Sequence, residues 1–315
     1  MKYSEFLGKK YLIIVLSSVA VYSIFLVFSE IEGVYDKLVN FDFTLIPLIL
    51  LVIFSSWLIL FARWFVLLKQ HKIQIPLKIN LAVFFAGFTL AISPAKSGEL
   101  IKSILLKNNF NIKRSKTVPI IFLERFYDVI GTFSVAVIGI TFLGFELGSV
   151  LILVSILIII IFSLAYSKKS FNVMLNVLSR IKFLNKYSTS LKESHEIIRK
   201  SSSLKIVGTC SILTILFRFV EAVGITLVLL AMGINFEFFH LAATYSTAVI
   251  LGTISMSPGG LGVTEGSFAG LLALQGFELQ TALVLAVIIR FFTLWFAVIV
   301  GFISLKLIDS IRHYE

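Results

Sequence analysis

The chain has 315 residues, of which 58% are hydrophobic and only 14% are charged, and its mean hydropathy is +1.01. These values exclude an ordinary soluble domain, and several apolar stretches of about 20 residues predict an all-α polytopic membrane protein. The net charge of +11 is spread over loops beside these stretches, which argues against a nucleic-acid-binding domain. The single cysteine, Cys210, excludes an internal disulfide and a cysteine-based zinc site.

Apolar runs predict about six full transmembrane helices, since a bilayer core about 30 Å thick requires about 20 helical residues. The first run follows the basic residues 1–10, and no small-residue cleavage pattern comes after it, so we expect it to be retained. We therefore expect residues 1–315 to form a single integral membrane domain. The predicted spans cover residues 11–29, 45–68, 118–143, 148–166, 206–232 and 280–305.

A broken hairpin is predicted at residues 79–106. A short apolar run, residues 80–91, is followed by the sequence Ser-Pro-Ala-Lys-Ser-Gly-Glu at 93–99. Irregular backbone leaves N–H and C=O groups without helical partners, so at membrane depth it is tolerated only against protein or a wet cavity. We therefore expect a re-entrant segment at this position.

A second broken hairpin is predicted at residues 241–277. Two short apolar runs flank the sequence Ser-Pro-Gly-Gly-Leu-Gly-Val-Thr-Glu-Gly at 257–266, which contains one proline, four glycines and a carboxylate. Broken helices of this kind form substrate sites in many transporters, with the helix ends directed at charged groups.

Each hairpin lies between two predicted spans that carry an arginine within the apolar run. In the first unit, residues 45–143, the arginines lie 31 residues before and 31 residues after Pro94. In the second unit, residues 206–305, they lie 40 residues before and 32 residues after Pro258. The similar spacing predicts an internal repeat with an insertion in one half. The four arginines are Arg63, Arg125, Arg218 and Arg290.

The loop charges predict the orientation of the chain. Six spans place both termini on one side, and the loops of that side hold 21 of the 28 Lys and Arg residues, whereas the opposite loops hold only Lys37. Because basic loops favour the cytoplasm, both termini are expected to be cytoplasmic in a multi-pass protein of the cell (plasma) membrane. The two units then have inverted topologies, an architecture of secondary transporters with the site at the repeat interface.

The long cytoplasmic loop, residues 167–205, contains apolar residues at helical spacing from Phe171 to Leu184, with several Lys and Arg nearby. This pattern predicts an amphipathic helix on the anionic leaflet. A solvated linker is the alternative.

Eleven charged residues lie in the predicted membrane segments, where each costs at least about 2.5–3.5 kcal/mol at the bilayer centre. Glu124 and Asp128 share a helix face, as do Arg218 and Glu221. These charges either neutralise one another for structural reasons or form a functional site. They are Arg63, Lys96, Glu99, Lys102, Glu124, Arg125, Asp128, Arg218, Glu221, Glu265 and Arg290.

Four arginines around two broken hairpins favour an anionic headgroup such as a lipid phosphate, because guanidinium binds phosphate in bidentate geometry and remains charged when desolvated. Glu99 and Glu265 either cap a half-helix, pair with an arginine or receive a cationic group of the substrate. The candidate substrate-binding residues are Arg63, Pro94, Lys96, Gly98, Glu99, Glu124, Arg125, Asp128, Arg218, Glu221, Pro258, Gly259, Gly260, Gly262, Glu265 and Arg290.

The motifs at 93–99 and 257–265, together with Leu-Glu-Arg-Phe-Tyr-Asp at 123–128, resemble those of a known family. This family is the lysylphosphatidylglycerol synthase transmembrane region, also called the flippase-like domain family, and the resemblance covers most of the chain. It implies movement of an aminoacylated phospholipid between leaflets. A soluble aminoacyltransferase domain, which two-part synthases carry, is not found in this sequence, so lysyl transfer is not expected. The matching positions are Pro94, Gly98, Glu99, Glu124, Arg125, Asp128, Pro258, Gly259, Gly260, Gly262 and Glu265.

Enzymatic signals are few. The four histidines do not cluster with carboxylates at metal-ligand spacing, and no phosphate-binding Gly-x-x-x-x-Gly-Lys loop is present, so we expect no metal, no cofactor and no catalytic residues.

Three functions remain open. The first is a lipid flippase or scramblase, which we favour. The second is a membrane enzyme that modifies a lipid-linked sugar or phosphate through Glu124 or Asp128. The third is a non-transporting partner of an envelope biosynthesis enzyme. The expected partners are membrane phospholipids or a lipid-linked substrate, and both self-association and a separate lipid-modifying enzyme are left open.

Overall fold

The computed structural model describes residue 39 and residues 41–93, 97–143, 188–201 and 203–311. This part of the chain is mostly helical and contains no β-strand. The predicted spans 11–29 and 148–166, the first part of the loop 167–205, and the site residues Pro94 and Lys96 lie outside the described residues.

The described helices are numbered here in chain order. They are α1 (Ile46–Gln70), α2 (Leu77–Ala86), α3 (Ile101–Phe110), α4 (Arg114–Leu143), α5 (Ser188–Ser201), α6 (Leu204–Ala231), α7 (Phe238–Ile254), α8 (Val263–Leu274), α9 (Leu279–Arg290) and α10 (Phe296–Ile311). A π-helical turn, Phe291–Trp295, joins α9 to α10, and short 3-10 turns lie at Phe43–Leu45, Gly87–Leu90 and Ser97–Leu100.

Three described helical segments are long and apolar enough to cross a bilayer, at the positions of the predicted spans 45–68, 206–232 and 280–305. These segments are Phe43–Gln70, Leu204–Ala231 and Leu279–Ser310. The fourth described span, predicted at 118–143, corresponds to α4. This helix has 30 residues, a length of about 45 Å, but it carries two carboxylates and an arginine near its centre.

The first hairpin region consists of two short helices separated by a break. The 10 residues of α2 lead into the 3-10 turn Gly87–Leu90, and the turn Ser97–Leu100 precedes the 10 residues of α3. Each helix is about 15 Å long, which is half the thickness of a bilayer core. Re-entry from one side of the membrane stays a prediction.

The second hairpin region pairs α7 with α8 across a glycine-rich turn. Gly259, Gly260 and Gly262 have φ values of +62°, +72° and +79°, a region that favours glycine because it has no Cβ. A Cβ on Gly252 of α7 would lie 1.9 Å from Oγ1 of Thr264 in α8. The glycines therefore allow both the turn and the close packing of the two helices.

Helix α6 lies among α1, α4 and α7. The backbone N–H of Asp42 donates to the carbonyl of Ala231 at 2.7 Å, so α6 ends where α1 begins and the two helices are antiparallel. A Cβ on Gly224 would lie 2.5 Å from Cδ1 of Ile53, which shows how closely α6 approaches α1. This arrangement brings the polar residues of three helices together in the core.

Helix α5 packs across the start of α4. Pro119 lacks an N–H and so leaves the carbonyl of Ser115 without its helical donor, and the Ser194 hydroxyl donates to that carbonyl at 3.3 Å. The Tyr127 hydroxyl donates to the carbonyl of Ser201 at 3.1 Å. Helix α5 is thus fixed to α4 at its middle and at its C-terminal end. The amphipathic helix predicted from Phe171 to Leu184 lies outside the described residues.

Candidate functional site

The breaks in the two hairpin regions contact each other. A Cβ on Gly259 would lie 3.0 Å from Cα of Ile92, so the second break packs directly on the backbone of the first. Ala91, Ile92 and Leu261 share a small buried cluster with Leu294 and Val298. At Ile92 and Gly259 the irregular backbone of the two regions therefore lies against protein, as backbone at membrane depth requires.

Arg63 of α1 lies at the centre of a buried charge network. Its Nη1 is 2.6 Å from Oδ1 of Asp128 and donates to Oγ1 of Thr214 at 2.8 Å. Its Nη2 lies 4.0 Å from Oε1 of Glu124, and both of these side chains are fully buried. The network thus joins α1, α4 and α6.

Lys102 of α3 joins the same network. Its Nζ lies 2.6 Å from Oε2 of Glu124 and 3.0 Å from Oε2 of Glu99, and 4.6 Å from the centre of the Trp64 ring. Two carboxylates and an aromatic face compensate the buried ammonium group. Lys102 is absent from the residues predicted to bind substrate, although its charge within an apolar segment was a visible signal.

Arg125 closes the network at its accessible edge. Its Nη2 lies 3.0 Å from Oε2 of Glu99 and its Nη1 lies 2.7 Å from Oδ2 of Asp128. The side chains of Arg125 and Asp128 are 22% and 14% exposed, whereas those of the other charged members are almost completely buried. Within the described residues, the network contains as many basic groups as carboxylates, so its formal charges balance.

Arg218 and Glu221 form a second buried pair, with Nη1 of Arg218 2.6 Å from Oε2 of Glu221. Nε of Arg218 donates to Oγ1 of Thr132 at 2.8 Å, and the Thr132 hydroxyl donates to the carbonyl of Asp128 at 2.6 Å. Thr132 therefore links this pair to the first network through α4.

Arg290 and Glu265 form a third buried pair, with Nε of Arg290 2.8 Å from Oε1 of Glu265. A terminal nitrogen of Arg290 also donates to the carbonyl of Gly259. Arg290 is the last residue of α9, directly before the π-helical turn. It therefore fastens the turn between α7 and α8 to α9.

The structure assigns a pairing to both carboxylates whose role the sequence left open. Glu99 contacts Lys102 and Arg125, and Glu265 contacts Arg290. Gly98 has a different role, since its N–H donates to Oγ of Ser93 at 2.6 Å and a Cβ there would lie 2.1 Å from that of Leu90. Pro258, Gly260 and Gly262 form the backbone of the second turn.

Thr132 and Thr214 are absent from the predicted site residues. Each lies four residues from a charged residue on its own helix, Thr132 after Asp128 and Thr214 before Arg218, and so on the same helical face. That spacing is the signal by which both were detectable.

The buried groups can bind charges but show no arrangement for holding a metal. Within the described residues, no group of three or more His, Cys, Asp or Glu side chains is positioned to ligate an ion. Arginine at the accessible edge can exchange an internal carboxylate for a phosphate of a ligand, because both groups present paired oxygen acceptors to the same guanidinium fork.

Two archaeal proteins are similar to this chain. A UPF0104 membrane protein of Methanocaldococcus jannaschii is 25% identical over 232 residues, which cover 70% of this chain and 94% of the relative. A UPF0104 membrane protein of Methanothermobacter thermautotrophicus is 24% identical over 301 residues, which cover 87% of each chain. No solved structure matches the chain.

The sequence profile of a family described as "Lysylphosphatidylglycerol synthase TM region" matches residues 14–301. The match includes both broken hairpin regions and all three sets of buried charges. The chain therefore belongs to the lysylphosphatidylglycerol synthase transmembrane region family, as its motifs predict.

Proposed function

We propose that this protein moves a phospholipid or lipid-linked headgroup, anionic or aminoacylated, between the leaflets of a membrane. The headgroup passes the buried arginines and carboxylates between the two broken hairpins, while the acyl chains stay in lipid. Family membership supports a lipid-related membrane role, and the helices supply the membrane domain.

The observation that carries the proposal is the accessible edge of the first network. Arg125 and Asp128 are the members through which a ligand reaches the network, because their side chains retain exposed surface and the other charged members do not. A phosphate binds Arg125 in place of a carboxylate, and the amino group of an aminoacylated headgroup binds the carboxylate that is released. A balanced network can make this exchange without leaving a buried charge unpaired.

Leaflet exchange of labelled lipids in liposomes that contain the purified protein tests the proposal. Wild-type protein is expected to accelerate the exchange of an anionic or aminoacylated lipid. Arg125→Gln is expected to reduce it on the order of tenfold or more, because a hydrogen bond to a charged group contributes about 1.5–3 kcal/mol. Lys205→Gln, which removes a positive charge from the exposed start of α6, serves as the matched control and is expected to retain activity.

Two results would overturn the proposal. Full activity of a folded Arg125→Gln protein would remove the first network from the pathway. Absence of exchange for every anionic, aminoacylated and lipid-linked substrate tested would remove translocation itself. Mass spectrometry of the recovered lipids separates transport from chemistry, because a membrane enzyme would leave a modified lipid.

A further inference from the structure

A basic cleft of about 350 Å³ opens at the end of α1 and the start of α4, away from the buried charges. Its walls come from the connection between α1 and α2 and from the connection between α3 and α4. The polar residues that line it are His71, Lys72, Gln74, Asn111, Lys113 and Lys116.

Two hydrogen-bonded turns shape the cleft. Lys72 and Asn111 adopt left-handed backbone conformations, with φ values of +54° and +52°. The N–H of Ile73 donates to the carbonyl of Leu68 at 3.0 Å, and the N–H of Ile112 donates to the carbonyl of Leu106 at 3.3 Å. Such bonds terminate a helix and fix the chain direction after it, so both walls have a defined geometry.

The charge of the cleft is positive at neutral pH. Among the described residues, no carboxylate pairs with Lys72 or Lys116, while Nζ of Lys113 lies 3.9 Å from Oε1 of Glu193. Burial, together with the nearby charge of Lys200, lowers the pKa of His71 to about 4, so this imidazole is neutral at pH 7. The lysines therefore give the lining a positive formal charge, while the carboxylates of Glu193 and Glu196 lie nearby.

The distance of the cleft from the buried network indicates where the cleft lies along the helix axes. His71 lies eight residues after Arg63 in α1, and Lys116 lies nine residues before Arg125 in α4. At 1.5 Å per residue, both separations are about 12–14 Å along a helix axis. Half of a bilayer core is about 15 Å thick. If the network lies near the bilayer centre, the cleft lies at the level of the lipid headgroups.

We propose that this cleft is a binding site for a phosphate group, with the headgroup of an anionic lipid as the expected source. Lys72 and Lys116 supply ammonium groups, and the amides of Gln74 and Asn111 supply further hydrogen-bond donors. A soluble organic phosphate offers the same chemistry, so the experiment must separate the two sources. The site requires no transport activity and is independent of the proposed function.

Other lysines near the same end of the helical bundle provide a matched comparison. Lys78 of α2 and Lys205 of α6 are exposed, as Lys72 and Lys116 are, but they do not line the cleft. Replacing either pair by glutamine removes the same charge from the same end of the bundle. Lys113 is left unchanged because it also contacts Glu193.

Native mass spectrometry of the purified protein with phosphatidylglycerol or phosphatidylcholine measures lipid binding. The double variant Lys72→Gln/Lys116→Gln is expected to bind phosphatidylglycerol on the order of tenfold more weakly than Lys78→Gln/Lys205→Gln. The reason is that each lysine beside an anionic headgroup adds electrostatic attraction to the binding free energy. Lys72→Arg/Lys116→Arg keeps both charges and is expected to retain binding. Equal phosphatidylglycerol affinity of the two glutamine variants contradicts a lipid site.

A second measurement tests whether the cleft binds a soluble organic phosphate. The melting temperature of detergent-purified protein is followed with sn-glycerol 3-phosphate, for the wild type and both glutamine variants. A rise that is lost only in Lys72→Gln/Lys116→Gln supports a phosphate site that takes a soluble ligand. If neither lipid nor glycerol phosphate distinguishes the two variants, the proposal is wrong.

Discussion

At the residue scale, the buried basic groups differ in how many carboxylates they contact. Arg63 and Lys102 each contact two carboxylates, whereas Arg218 contacts one, that of Glu221, three residues along its own helix. The pair of Arg218 and Glu221 is therefore the simplest place to measure what a buried charge contributes to stability.

Arg218→Met is expected to lower the free energy of unfolding by about 3–5 kcal/mol, because it leaves Glu221 buried without its counter-charge. Arg218→Met/Glu221→Leu is expected to recover most of this loss, since replacing both members by apolar residues removes the uncompensated charge. The melting temperature of the purified protein in detergent measures both effects.

The exposed pair of Lys200 and Glu196 provides the control, with Nζ of Lys200 2.7 Å from Oε1 of Glu196. Lys200→Met is expected to change stability by less than about 1 kcal/mol, because solvent screens exposed pairs. An equal loss for Lys200→Met and Arg218→Met would show that burial does not govern the effect.

The candidate site shows what a sequence can predict at this scale. An arginine in an apolar run is visible directly in the sequence, so Arg63, Arg125, Arg218 and Arg290 are candidates from the sequence alone. The i,i+3 spacing also indicated that Arg218 and Glu221 are adjacent. The contact of Arg63 with Thr214 joins residues 151 positions apart, and only the packing of α1 on α6 determines it.

At the element scale, the contact between the two breaks depends on glycine. Gly259 has a positive φ and also lies against the backbone of Ile92, so a side chain there meets both a conformational and a steric penalty. Gly233 has a φ of +70°, but a Cβ there would have nothing within 4 Å, and a Cβ on the helical Gly270 would likewise meet open space. Alanine at Gly259 therefore meets both penalties, alanine at Gly233 meets only the conformational one, and alanine at Gly270 meets neither.

Gly259→Ala is expected to be the least stable of three alanine variants. Gly233→Ala should lose about 1–2 kcal/mol from the left-handed backbone alone, and Gly259→Ala should lose more because Ile92 must also move. Gly270→Ala is expected to be neutral or to stabilise α8 by up to about 1 kcal/mol. Thermal melting ranks the variants, and a Gly259→Ala protein as stable as Gly233→Ala would contradict the contact between the breaks.

The sequence predicts the two breaks in the hairpin regions but not the π-helical turn. Pro94 and the glycines at 259–262 mark the two breaks, because these residues disfavour continuous helix. The π-helical turn Phe291–Trp295 has no proline or glycine and gave no such signal. It follows Arg290, whose contacts with Glu265 and Gly259 are made by packing and not by local propensity.

At the scale of the whole molecule, cysteine labelling tests the predicted orientation of the chain in the membrane. The only native cysteine, Cys210, is buried, so Cys210→Ser provides a background without thiols. In that background, Asn235→Cys and Glu278→Cys are expected to react with a membrane-impermeant maleimide in intact cells. Lys78→Cys and Lys205→Cys should react only after permeabilisation, because the basic loops are expected in the cytoplasm.

All four positions are exposed in the structure, so burial within the protein does not explain a failure to react. The reverse labelling pattern would place both basic connections outside the cell. Labelling of Asn235→Cys and Glu278→Cys from opposite sides would show that α7 and α8 do not form a re-entrant hairpin.

The order in which the ribosome synthesises the chain determines when the paired charges can meet. Two partners of α4, Arg63 and Lys102, are synthesised before its carboxylates, so the least apolar of the long helices enters the membrane where counter-charges are already present. Glu265 is instead synthesised before its partner, since Arg290 follows it by 25 residues. We therefore expect the first half to assemble as it is made, and the second hairpin to reach its final place only after α9 has followed.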